Sequence, residues 1–185
     1  MTLFLDDPDE GLSPATSHPA FVSLAPEPFY DEGEDLAPFG NDAGHDALRD
    51  LEEWYAADGR DDALPAFVDG LLAAWDLGVP EDVWASGRQG AADRLRGGDV
   101  DEAALAAEAR AQIAIVLGQL KIRGGLTPHA RALGVAVLDV LAALNDHARV
   151  VSPGWRHAAA DAAATAALAA VVRGARGRPG RAGRA

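Results

Sequence analysis

The 185-residue sequence predicts an all-α fold, a single-domain helical bundle with an extended, acidic, proline-rich N-terminal arm and a disordered arginine-rich tail. Three observations carry that prediction. From residue 41 onward apolar side chains recur at three- and four-residue intervals. Helix start and stop residues punctuate the recurrence. No series of alternating β-branched segments separated by hairpin turns competes with it. The chain contains 41 alanines, which suits helices that approach one another closely. At this length folding hides roughly 70% of the unfolded surface, so an apolar core suffices without crosslinks.

Residues 1–40 form the arm. Prolines at 8, 14, 19, 26, 28 and 38 interrupt regular structure, while Phe4, Phe21, Phe29, Tyr30 and Phe39 can anchor the segment to a helical body. A short strand or hairpin fits near Phe21–Leu24. The helical domain spans 41–173. Its first helix starts at Asn41 or Asp42, either of which can cap free amides, and runs to Ala57 before Gly59, burying Leu48, Leu51, Trp54 and Tyr55. A second follows Asp61 and Asp62, with Pro65 in its first turn, and closes at 77–80. Residues 80–86 read as a helical turn carrying Trp84, with one more short helix around Ala91–Leu95. Asp99 and Glu102 suggest a capping box for a long helix to Lys121, ended by Gly124 and Gly125. Thr127 and Pro128 start a helix to Asn145 whose apolar residues cover most of its circumference, which makes it the expected centre of the bundle. Ser152 and Pro153 repeat the start signal for a last, alanine-rich helix to Val172. Residues 174–185 lack apolar anchors and read as disordered.

Charge is distributed unevenly. Residues 1–62 hold 17 acids against two arginines, 63–172 hold 12 acids against nine bases, and 173–185 hold five arginines and no acid. The acidic body opposes binding to nucleic-acid backbones. The first ten residues contain four acids and no base, unlike a targeting segment, so a cytoplasmic location is expected. The longest uncharged apolar run, Ala162–Val172, is too short to cross a membrane.

The absence of cysteine excludes thiolate nucleophiles, disulfides, cysteine zinc sites and iron–sulfur clusters. Phosphate loops, dinucleotide glycine fingerprints and nucleophile elbows are absent as well. No catalytic residue and no cofactor is therefore predicted. The densest polar constellation is Asp31, Glu32, Glu34 and Asp35, followed by Asn41, Asp42, His45 and Asp46. These eight residues are the candidate binding set, and three readings apply to them. They are helix caps and solvated acids, or a surface for a protein partner, or a divalent-cation site built from Asp31, Glu34, Asp42, His45 and Asp46 in a cation-binding protein or metal-dependent enzyme.

Ser13-Pro14, His18-Pro19, Pro28-Phe29-Tyr30, Asp31-Glu32, the run Ala37-Pro38-Phe39-Gly40-Asn41-Asp42, Gly44 and Asp46-Ala47-Leu48 together resemble the opening of the small bacterial proteins called YfeS-like. The resemblance covers the N-terminal third. It implies a soluble cytoplasmic protein, makes Asn41, Asp42 and Asp46 part of the family's signature, and assigns no activity. The arginine-rich tail and the alanine content depart from the family. Some YfeS-like proteins carry labels tied to molybdate regulators, the ground for a further reading as a transcriptional regulator, which the charge opposes. The function expected from the residues is a non-catalytic interaction or regulatory protein, in the manner of immunity proteins, offering residues 31–53 to a basic protein partner.

Overall fold

A computed structural model describes residues 2–178 and contains seven α-helices, three short 3-10 turns and no strand among those residues. The helices are α1 (Pro19–Val22), α2 (Asp42–Ala56), α3 (Leu64–Trp75), α4 (Gly87–Gly97), α5 (Glu102–Arg123), α6 (Pro128–Val151) and α7 (Ala158–Gly174). The chain is an all-α, single-domain helical bundle.

The centre of the bundle is α5 rather than the segment 128–145 expected from sequence. Every residue from Ala111 to Ile122 is buried, whereas α6 leaves Val135 53% exposed. The cause lies in the polar residues of α5. Glu108, Gln112, Gln119 and Lys121 are all buried, so the side that looks solvated in sequence is covered by other chain segments. Helices α2 and α6 both pack on α5; α7 and α4 pack on α6, and α3 is only lightly attached to α5 and α6. Gly118 lets α2 come close: a Cβ there would sit 2.7 Å from Leu51 Cδ2. By length and composition α5 is apolar enough to cross a membrane, yet 72% of that window is buried inside the fold.

Capping explains most boundaries. Asp101, not Asp99, caps α5 by accepting from the Ala104 amide at 2.8 Å, and Gly124 ends it in the left-handed region at φ +77°. Thr127 Oγ1 caps α6, accepting from Ala130 N at 3.1 Å. That helix continues six residues past Asn145 to Val151, so Ser152-Pro153 follows it in a turn and α7 begins only at Ala158.

Residues 2–40 lie over the bundle, residues 2–6 without regular structure and the rest as turns around α1 and one 3-10 turn. The stretch expected as strand or hairpin is helical instead. Pro19 pre-sets a helical φ, His18 Nδ1 accepts from Ala20 N at 3.0 Å, and the His18 carbonyl accepts from Phe21 N and Val22 N. Phe21, Phe29 and Phe39 are 0%, 3% and 1% exposed and join the core. The tail also departs from expectation, because disorder does not begin at residue 174. Gly174 is helical, and the next residues pair with the α5–α6 loop: Leu126 N donates to Arg176 O at 3.0 Å and Arg178 N to Leu126 O at 2.8 Å. The rest of the predicted disordered tail, 179–185, lies outside the described residues.

Candidate functional site

The approach to α2 is built from backbone contacts. A Cβ at Gly40 would stand 2.4 Å from the Glu34 carbonyl oxygen, and one at Gly44 would stand 2.1 Å from that of Pro38, so both positions require glycine. Asn41 closes the joint from within: its Oδ1 accepts from Gly44 N at 2.9 Å and its Nδ2 donates to Ala37 O at 3.0 Å. Of the eight predicted binding residues Asn41 is thus buried and structural, and it, not Asp42, is the cap.

The other seven, Asp31, Glu32, Glu34, Asp35, Asp42, His45 and Asp46, are exposed. Asp31 Oδ1 accepts from Gly33 N at 2.9 Å and Glu34 Oε1 from Leu36 N at 3.2 Å, which shapes a turn with the carboxylates outward. Folding brings a second acidic turn beside it. Glu32 Oε1 lies 3.6 Å from where a Gly11 Cβ would be, and the Asp7–Gly11 turn carries exposed Asp7, Asp9 and Glu10. Asp42, His45 and Asp46 continue the face along α2, where Asp46 pairs with Arg49 at 3.6 Å. Among the described residues this is the sole ion pair made by any of these carboxylates, and no three histidine or carboxylate side chains converge as metal ligands. The proposed set of Asp31, Glu34, Asp42, His45 and Asp46 is therefore not assembled around a common point.

Farther along α2 the face reaches a groove that the sequence reading missed. Trp54, assigned to the buried stripe, is only half-buried, because Tyr55 beside it takes the inward position at 2% exposure. Adjacent residues are about 100° apart on a helix, so of two consecutive large aromatics on a helix with one buried face, one lies nearer the edge of that face. Trp54 stacks on Phe67 of α3 with ring centroids 4.9 Å apart and planes at 29°. These rings, with Gly70, Leu71, Asp50 and Glu53, line a groove of about 420 Å³. A larger groove of about 520 Å³ lies elsewhere, between α6 and α7, with alanine walls and the Arg88–Asp146 pair at its rim.

Two buried polar clusters near the end of α5 were also invisible in sequence. Lys121 is fully buried, with Nζ 2.6 Å from Glu52 Oε1 and 2.9 Å from Asp6 Oδ1. Burial pushes the Glu52 carboxyl above its ordinary range, and Lys121 partly offsets that. Next to it, Tyr55 donates to Asp61 at 2.9 Å, Gln119 donates to Tyr55 at 3.3 Å and accepts from Thr127 N at 2.9 Å, and Asp61 also receives Arg178 at 2.9 Å. Burial drives the Tyr55 phenol well up. These groups satisfy one another and tie Asp6 and Arg178 to the region of α2 and α5. Comparison with protein-family models, curated proteins and solved structures returns no match, so the site is read from its own chemistry.

Proposed function

We propose that the protein is a non-catalytic interaction module that binds a basic protein partner through its acidic face. One observation carries this reading. The 7–10 turn, the 31–35 turn and the outer side of α2 lie next to one another, and among the described residues Asp46–Arg49 is the only ion pair any of their carboxylates makes. Crowded like charges left unneutralised cost stability, and they return encounter rate and orientation when an oppositely charged surface arrives. The Phe39–Asp46 run shared with YfeS-like proteins then builds the joint that presents the face, and membership of that family and a cytoplasmic location belong to the same proposal.

Tagged protein captured from native lysate at low and moderate salt tests the reading. A basic protein recovered in stoichiometric amount, released as salt rises, and not recovered by a quadruple variant (Asp31→Asn, Glu32→Gln, Glu34→Gln, Asp35→Asn) is the expected result. Capture that ignores both salt and the variant, or no capture at all, overturns it.

A further inference from the structure

We infer that the groove between α2 and α3 takes an arginine side chain of the basic partner; the inference rests on the proposed acidic-face reading and names the subsite within it. A guanidinium is planar, weakly hydrated, and satisfied by a flat aromatic wall together with carboxylates at its edge. The groove offers aromatic lining and carboxylates: Trp54 and Phe67, which cover one another in a stack, line it, and Asp50 and Glu53 flank it without an ion pair or side-chain hydrogen bond among the described residues.

The wall is set before any partner arrives. Gly59 N donates to the Trp54 carbonyl at 2.8 Å, and Gly59 lies so close beneath the indole that a Cβ would stand 2.4 Å from Trp54 Cδ2. The Tyr55 ring, 4.8 Å away, holds it from the side. A ring held this way loses little rotamer freedom on binding. The groove is also kept open at a cost to its helix. Gly70 sits inside α3, where glycine is unfavourable, and a Cβ there would meet nothing within 4 Å. No close contact requires that glycine, and any larger residue would project into the space a side chain from outside would use. At about 420 Å³ the groove exceeds one guanidinium, and it fits an arginine with part of its flanking backbone.

The test is a titration of isotope-labelled protein with blocked hexa-arginine and hexa-lysine peptides at low salt, followed through the Trp54 indole N–H resonance. Two variants accompany it. Gly70→Leu fills the groove while removing a helix-interior glycine, and the quadruple 31–35 variant strips charge from the face without touching the groove. The expected result is a shifted Trp54 resonance and hexa-arginine binding roughly threefold or more tighter than hexa-lysine. Gly70→Leu then weakens hexa-arginine to about the hexa-lysine level with an unchanged or higher melting temperature, and the 31–35 variant weakens both peptides alike while the arginine preference persists. Equal binding of the two peptides, with shifts confined to the 7–10 and 31–46 segments, overturns the arginine subsite and leaves the acidic-face reading standing. A Trp54 shift that follows protein concentration without peptide assigns the groove to a second copy and overturns the inference. No binding of either peptide overturns both readings.

Discussion

Single residues decide which acids are structural. Because Asn41 holds both the Gly44 amide and the Ala37 carbonyl, Asn41→Ala should lower stability by about 1–2 kcal/mol in urea unfolding. Asp42→Ala, at an exposed first-turn position, should cost only about 0.3–1 kcal/mol through the helix dipole. Two titratable groups, buried Glu108 and half-buried His18, give opposite pH dependences. Burial raises the Glu108 carboxyl from its ordinary 4.5, so its contribution is fully present below that value and is lost as pH rises through the folded value. Glu108→Gln should therefore raise the melting temperature at pH 7 and have little effect at pH 4. Burial, with Arg178 nearby, lowers His18 from its ordinary 6.5, so its contribution is present above 6.5 and is lost as pH falls through the depressed value. Melting curves from pH 7 to pH 5 on a His18→Asn variant, which keeps a capping side chain, should lack that part of the decline.

Helices and turns show how the N-terminal turns are secured. The Lys121 cluster joins α5, α2 and the N-terminal turns, since Asp6 and Glu52 share one ammonium and the Lys121 carbonyl accepts from His18 N at 2.8 Å. Lys121→Met leaves two part-buried carboxylates without their shared cation and should cost about 3–5 kcal/mol, whereas adding Asp6→Asn and Glu52→Gln should restore much of it. Denaturant midpoints of the single and triple variants check this. Two glycines in or next to helices should respond oppositely to alanine. Gly124 has φ +77° and a Cβ there would stand 2.2 Å from His18 Cε1, so Gly124→Ala should destabilise by more than about 1 kcal/mol. Gly70→Ala meets open space and should stabilise by about 0.5–1 kcal/mol.

Over the whole molecule, salt should act in two directions. The net charge of −13 and the unneutralised face make the free protein repel itself, so its melting temperature should rise as ionic strength increases from low to physiological. Partner capture should weaken over the same range, because screening removes the attraction. Calorimetry and capture at matched salt concentrations check the pair of signs; parallel changes would mean that the acidic face contributes nothing to binding.

Periodicity and caps were legible in the sequence because they are local. The bundle class, the Thr127–Pro128 start, the Gly124 stop and the acidic run before α2 all follow from spacing of three and four residues and from the chemistry of helix ends. Which helix lies at the centre was not legible, since Lys121, Gln119 and Glu108 look like solvent residues until distant segments supply Asp6, Glu52, Tyr55 and the Val79 backbone. The same holds for the site. The sequence by itself determined that the N-terminal third is an acidic surface; only the tertiary structure decided that the 7–10 turn joins the 31–35 turn, that Asn41 belongs to the joint, and that Trp54 meets Phe67 beside Asp50 and Glu53. The physical reason is range: helix signals act within a few residues, whereas burial of a charge and the walls of a groove depend on segments that only folding brings together.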